Sequence, residues 1–98
     1  MEAIRPDHYE QASIDCKTAM ELAYGPEDTA KYFLINAFKY LWRYKYKNGK
    51  EDLVKGLTCV VLAREITYRC DDEAYKEINK KLDNVNAAIT AHLKRLGE

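Results

Sequence analysis

Residues 32–47 carry the pattern that most constrains the fold, an almost entirely apolar helical stretch interrupted by one polar stripe. At about 100° per residue, the side chains of this stripe fall in one sector of a helix. The polar stripe consists of Tyr32, Asn36, Lys39, Tyr40, Arg43 and Lys47. Apolar side chains cover most of the remaining circumference, and such a helix favours burial on nearly all sides. We therefore expect it to lie inside a helical bundle.

The cations of the stripe need an anionic partner, because a charge on a largely buried helix is costly when nothing faces it. Lys39 and Arg43 lie one turn apart and can converge on a single phosphate, which arginine binds through two nitrogens. The alternative is an internal ion pair, for example of Arg43 with Asp52 or Asp15, that holds the helices in register. The residue pattern leaves both interpretations open.

Few prolines and glycines punctuate the chain, which predicts long helices joined by short loops. Residues 1–12 are expected to be irregular, since Pro6 biases the residue before it away from helical geometry. Ser13 is the expected N-cap of a first, short helix that reaches Tyr24. The pair 25–26, Gly-Pro, separates it from the second helix.

The second half of the chain reads as two more helices. Asn48-Gly49 ends the second helix after about Tyr46, and a third helix runs from about Glu51 to Tyr68 or Arg69. The fourth helix, within residues 71–97, begins with acidic side chains at its positive end. Its apolar positions form a heptad seam suited to a helical hairpin or a dimer contact. The seam consists of Tyr75, Ile78, Leu82, Val85, Ile89, His92 and Leu96.

These elements predict an all-α fold, a compact bundle of three long helices and one short helix in a single domain spanning residues 1–98. Ninety-eight residues support one core only. The second and third helices are apolar on most sides, and one chain of this length has little with which to cover both. We therefore expect a homo-oligomer.

Composition excludes several partners. Lys+Arg and Asp+Glu balance at 16 each, which argues against nucleic acid as a partner. The apolar run 59–63 is too short to span a membrane, so no membrane partner is expected. The cysteines Cys16, Cys59 and Cys70 are odd in number, lack zinc-ligand spacing and follow no signal peptide, which indicates reduced thiols and a cytoplasmic location.

Known nucleotide and metal motifs are absent from the sequence. It contains neither the P-loop nor the Rossmann glycine pattern, and no cluster has metal-ligand spacing, so no metal site is predicted. Asp52, near the start of the third helix, suits a helix cap, a metal ligand or the counter-ion of Arg43, with the cap favoured by residue type. His8 and Tyr9 suit either a packed capping turn or hydrogen bonding and acid–base work.

Several short motifs occur in an order that resembles a small bacteriophage protein family. They are Pro6-x-His8-Tyr9, Ile14-Asp15, Asn36-x-x-Lys39-Tyr40-x-x-Arg43-x-x-x-Lys47 and Asp52-Leu53-x-Lys55. Most members of that family have no assigned role, and some are named nucleotide kinases for their similarity to an enzyme of T-seven-type coliphages. The resemblance covers roughly residues 5–57 and departs after Lys55, where this chain has Gly56.

The resemblance implies that the protein binds a nucleotide in the cytoplasm of a host cell, with phosphoryl transfer between nucleotides as an extension. Magnesium would then accompany the nucleotide as cofactor. Three residues would take the catalytic roles: Lys39 and Arg43 would neutralise the transferred phosphoryl group, and Asp52 would accept a proton or hold magnesium. The remaining positions would bind the nucleotide. They are His8, Tyr9, Asn36, Tyr40, Lys47 and Lys55.

Two other functions stay open at this point. The protein could capture a nucleotide or a nucleotide-derived signal without turning it over, as an anti-defence protein would. It could also be a small interaction protein that binds a host factor through its heptad seam or its tyrosine-rich surface. Apart from the resemblance, the sequence favours nucleotide binding only through the clustered Asn, Lys and Arg side chains of the stripe.

Overall fold

A computed structural model describes residues 15–70 and 72–97, and it folds them into four helices with no strand in those two ranges. The helices are α1 (Cys16–Tyr24), α2 (Pro26–Arg43), α3 (Lys50–Thr67) and α4 (Glu73–Gly97). The predicted all-α fold with three long helices and one short helix is confirmed.

The helix starts follow local capping chemistry. The Asp15 side chain accepts a hydrogen bond from the backbone N–H of Thr18 at 2.8 Å and caps α1. The prediction of Ser13 as the cap was therefore wrong, because α1 begins at Cys16 with Asp15 already serving its first turn. α2 begins at Pro26, as expected, after Gly25 takes a φ of +89° that side-chain-bearing residues rarely adopt.

The chain reverses direction between α2 and α3 through the turn 44–49. α2 ends at Arg43, so its predicted end near Tyr46 was three residues too late. Gly49, at φ +57°, donates its N–H to the carbonyl of Tyr44 at 2.9 Å, which closes the turn. α3 then begins at Lys50, one residue before the predicted start.

The core lies where α2 and α3 pack side by side and α4 crosses both. The largest fully buried apolar side chains come from α3 and α4: Leu53, Ile66, Leu82 and Ile89. Gly56 sits at the meeting point of the three helices. A β-carbon there would lie 2.8 Å from Cδ1 of Ile89 and 3.5 Å from the backbone oxygen of Ala37, so glycine leaves room for the end of the Ile89 side chain.

The predicted heptad seam of α4 is confirmed over most of its length. Its first five positions, from Tyr75 to Ile89, are all buried, whereas His92 is half-buried and Leu96 is exposed. The seam packs within the same chain, against α3 and α2. It therefore forms the helical hairpin that the pattern allowed.

α1 lies at the edge of the bundle and packs against α2. None of its side chains is fully buried. Two ion pairs connect it to the last turn of α3 and to the residues that follow this helix. Lys17 pairs with Glu65 at 2.7 Å, and Glu21 pairs with Arg69 at 2.8 Å. Such surface pairs orient an element more than they stabilise it.

The expectation that α2 is buried on nearly all sides was wrong for the described part of a single chain. α3 and α4 cover one side of α2, and the opposite side leaves Ile35, Phe38 and Trp42 exposed to solvent. Three long helices provide no further layer to cover this side. Within the described residues, no helix is both long enough and apolar enough to cross a membrane.

Candidate functional site

The polar stripe of α2 meets the start of α3 at an ion pair. The Arg43 Nε donates to Oδ2 of Asp52 at 3.2 Å, and its Nη2 donates to Oδ1 at 3.3 Å. The Asp52 side chain is 0% exposed, whereas that of Arg43 is 34% exposed. Of the two candidate partners, the structure selects Asp52, since Asp15 caps α1 instead. The guanidinium is held from the protein side and still reaches solvent.

Asn48 completes the surroundings of the buried carboxylate. Its backbone N–H donates to Oδ2 of Asp52, and its side-chain amide donates to Oδ1, both at 3.3 Å. Together with Arg43, four donors therefore serve a carboxylate that offers about four acceptor positions. Burial by itself raises the pKa of Asp52, but the hydrogen bonds from Arg43 and Asn48 outweigh it and lower the pKa below its usual value of 3.8. Asp52 is thus an ionised anchor.

Two cations of the stripe lie close to the ring of Tyr40. The Lys39 Nζ is 4.8 Å from the ring centroid and the Arg43 Cζ is 4.9 Å from it, both within the range of cation–π attraction. Hydrogen bonding to Asp52 raises the pKa of Arg43 above its already high usual value. The stripe therefore presents a guanidinium of permanent charge next to an ammonium group and an aromatic ring.

The other stripe positions surround this group less closely. Asn36 is half-buried on the same face of α2, and Lys47 is exposed in the turn that follows the helix. Lys55, one turn after Asp52 on α3, is exposed and pairs with Glu51 at 3.5 Å. His8 and Tyr9 lie outside the described residues. The structure thus brings Lys39, Tyr40, Arg43 and Asp52 together, with the remaining described positions at the margin.

Sequence reasoning missed the role of Asn48, which it took only as part of a helix-stop signal. The signal for that role was the spacing, because an acid at the third position of a helix commonly reaches back to the residues before the first turn. It also missed a contact between Tyr44 and His92, whose hydroxyl and Nδ1 lie 2.7 Å apart. No local pattern could show it, since the two residues are 48 positions apart.

Apart from the polar stripe, a concave region lies beside the C-terminal end of α2. It measures about 290 Å³ and is lined mainly by aromatic side chains, with Lys45 and His92 as its polar members. Its other lining residues are Phe38, Leu41, Trp42, Tyr44 and Tyr46.

Among residues 15–70 and 72–97, no group of three or more His, Cys, Asp or Glu side chains is arranged to hold a metal ion. The three cysteines are unbridged.

The chain matches the model of a known protein family. Residues 4–58, more than half of the chain, match the model of the family described as a protein of unknown function, DUF3310. No curated protein and no solved structure matches the chain. The matched segment contains the whole polar stripe, the turn 44–49 and Asp52.

Proposed function

The chain belongs to the DUF3310 family of proteins of unknown function, and from that premise we propose that it binds a phosphate-bearing small molecule, most simply a nucleotide, along the cationic edge of α2. We use the name cationic edge for Lys39, Tyr40, Arg43 and Lys47. The family itself supplies no activity. The proposal rests on how the side chains of this edge are held.

The observation that carries the proposal is how the Arg43 side chain is held and oriented. Its Nε and Nη2 are held by a fully buried carboxylate, while a third of the side chain is exposed and Nη1 makes no hydrogen bond to any described residue. A guanidinium fixed on one edge loses little conformational freedom when its free edge binds a planar anion. A buried acid behind a half-exposed arginine therefore supports a preorganised phosphate contact.

The neighbours of Arg43 add to the positive electrostatic potential at this edge of α2. Lys39 and Lys47 are exposed and form no ion pair within the described ranges. Tyr40 offers a ring on which a base can stack. The cations that contact this ring, Lys39 and Arg43, both lie on the same helix as Tyr40. Two free ammonium groups and one oriented guanidinium suit a ligand with more than one negative charge.

Asp52 is better described as a positioning residue than as a catalytic one. A carboxylate with four donors and no exposed surface has no free lone pair with which to accept a substrate proton or bind magnesium. This favours binding of the nucleotide over its turnover. Phosphoryl transfer, in which Lys39 and Arg43 would neutralise the moving group, is the alternative that the resemblance to phage proteins supports.

The biological setting follows from the same resemblance. A phage protein that binds a nucleotide in the host cytoplasm would act either on the nucleotide pool or on a nucleotide-derived defence signal. Docking on a host protein is the third alternative. In that case the cationic edge would bind no ligand, and Arg43 would serve only in the ion pair with Asp52 that closes the α2–α3 hairpin.

Calorimetric titration of the purified protein tests the proposal, using nucleoside mono- and triphosphates and cyclic dinucleotides, each with and without magnesium. We expect saturable binding of at least one nucleotide. Lys39→Ala should weaken it by roughly 10-fold or more, which is the usual scale of one charge-assisted contact with phosphate. Lys94→Ala, which removes the same charge from an exposed position in the last turn of α4, is the matched control and should bind as the wild type does.

Arg43 is best tested together with its anchor. Arg43→Ala alone leaves a buried carboxylate without its cation, which confuses loss of binding with loss of folding. The double variant Arg43→Ala/Asp52→Asn removes both charges and should fold but not bind. Failure of the whole panel to bind, or unchanged binding in Lys39→Ala and the double variant, would refute the proposal. Incubating a bound monophosphate with a triphosphate and magnesium then distinguishes transfer from capture.

A further inference from the structure

An exposed apolar row runs along the side of α2 that faces away from α3. Ile35, Phe38 and Trp42 are 66%, 55% and 72% exposed. Their spacing of three and four residues aligns them on one face of the helix, and the rings of Phe38 and Trp42 stack with centroids 6.1 Å apart. Single exposed apolar side chains are ordinary, but an aligned row is not.

The row continues into a groove between α2 and α4. This groove measures about 460 Å³, and all but two of its lining residues are apolar. It is lined by Leu34, Ile35, Phe38, Leu41, Lys81, Asn84, Val85 and Ala88. The row and the groove form one continuous surface, because Ile35 and Phe38 belong to both. A contiguous apolar surface of this kind marks an interaction site.

We propose that a second copy of this chain covers this surface, with α2 packed antiparallel against α2 about a twofold axis near Phe38. The inference does not depend on nucleotide binding. Aromatic side chains present roughly 150–250 Å² each, so the row exposes about 400 Å² per chain. A twofold interface buries the same surface on both chains. The two rows of a dimer together bury roughly 800 Å², and the other lining residues of the two grooves bring the total buried area to roughly 1,000 Å². This area is the lower limit for a specific interface.

The charges at the ends of α2 favour a second copy and set its direction. The first turn contains Glu27, which pairs with Lys31 at 2.9 Å, and Asp28, which forms no ion pair within the described residues, whereas Lys45 follows the last turn. Antiparallel packing brings the acidic start of each helix beside the basic end of the other, twice in one dimer, and it opposes the two helix dipoles. Parallel packing would instead bring like charges together.

Trp42 allows the wild-type protein to report on this interface, because it is the only tryptophan in the chain. In a single chain its indole is mostly exposed. We expect a dimer by sedimentation equilibrium at tens of micromolar. Its tryptophan emission should be blue-shifted and protected from acrylamide, and both properties should be lost on dilution as the dimer dissociates.

Charge insertion locates the interface. Phe38→Glu keeps the tryptophan reporter and should give a monomer with red-shifted emission at every concentration, with the helical circular dichroism spectrum unchanged. Ile35→Glu, at a still more exposed position, is a second variant with the same expected outcome. Val61→Glu is the matched control, because Val61 is 56% exposed but lies on α3, and this variant should remain dimeric.

Three results would overturn the inference. A wild-type monomer with red-shifted emission would leave the surface free for a different protein. Blue-shifted emission from a protein that sediments as a monomer would mean that another segment of the same chain covers Trp42. A dimer that survives both Phe38→Glu and Ile35→Glu, with these variants folded, would place the contact elsewhere.

Discussion

The guanidinium of Arg43 lies against the carboxylate of Asp52, with two donor–acceptor distances of 3.2 and 3.3 Å. The pair joins the last residue of α2 to the first turn of α3 and so closes the hairpin across the turn 44–49. One of its members is buried and the other reaches solvent. The same contact can therefore stabilise the fold and orient a cation for a ligand.

Asp52→Asn should lower the melting temperature at pH 7 by several degrees, and its difference from the wild type should shrink as the pH falls. Burial opposes ionisation of Asp52, but hydrogen bonds from Arg43 and Asn48 hold its folded-state pKa below 3.8. The stabilisation is therefore present above pH 3.8 and is lost as the pH falls through the lower folded-state value. Thermal melts from pH 7 to pH 2 measure this.

The matched control for this prediction is Asp83→Asn. Asp83 also pairs with an arginine, Arg64, at 2.7 Å, but its side chain is exposed, and exposed pairs contribute little. We expect only a small effect at every pH. A difference between wild type and Asp52→Asn that stays constant from pH 7 to pH 2 would show that the carboxylate does not act through its charge.

Gly56→Ala should destabilise the protein by about 1 kcal/mol. Overpacking costs about 1–3 kcal/mol, against about 1 kcal/mol that alanine gains over glycine within a helix. The added methyl would lie 2.8 Å from Cδ1 of the fully buried Ile89. Urea denaturation measures the loss. Gly97→Ala, where the added methyl meets nothing within 4 Å, is the control and should not destabilise.

A double-mutant cycle identifies the contact responsible. Ile89→Val removes the Cδ1 methyl and should cost about 0.5–1.5 kcal/mol in the wild type. In the Gly56→Ala background the same change relieves the clash, so its cost should fall to about zero. Additive costs in the cycle would mean that Gly56 is required for a different reason.

Tyr44→Phe should lower the free energy of unfolding by about 0.5–1.5 kcal/mol, because it removes a hydrogen bond of 2.7 Å between the Tyr44 hydroxyl and the Nδ1 of His92. Tyr44 is buried, so its hydroxyl has little access to water. Tyr46→Phe removes an exposed hydroxyl two residues away and should have no effect. Equal losses in the two variants would contradict the assignment.

Leu82→Ala should cost about 2–5 kcal/mol, since Leu82 is fully buried at the centre of the α4 seam and its truncation leaves a cavity. Leu96, at the exposed end of the same seam, provides the comparison, and Leu96→Ala should cost far less. Chemical denaturation measures both. A similar cost at the two positions would mean that the end of α4 is buried in the assembled protein.

The helices were predictable because their signals are local. Pro26 with the acids after it marks the start of α2, and the three- and four-residue spacing from Tyr75 to Ile89 marks the buried face of α4. The end of α2 was less predictable. The apolar pattern continues to Tyr46, but the chain must leave the helix at Arg43 for the turn to bring α3 back alongside.

The candidate site was predictable in its members and less so in its arrangement. The spacing of Lys39, Tyr40 and Arg43 places them on one face of any helix. Their partner could not be deduced, since Asp15 and Asp52 were equally acceptable as residue types. The choice depends on where two helices pack, and Asp15 was already engaged by the backbone of Thr18.

By itself, the amino-acid sequence determined four helices, their approximate limits and the buried face of α4, because capping residues and apolar periodicity act within a few positions of the chain. Tertiary structure alone decided that Asp52 anchors Arg43 and that Gly56 accommodates Ile89, because these contacts join different helices. It also decided which side of α2 stays exposed. A helix that is apolar on most sides carries no local signal that distinguishes the face covered by its own chain from the face left for a partner.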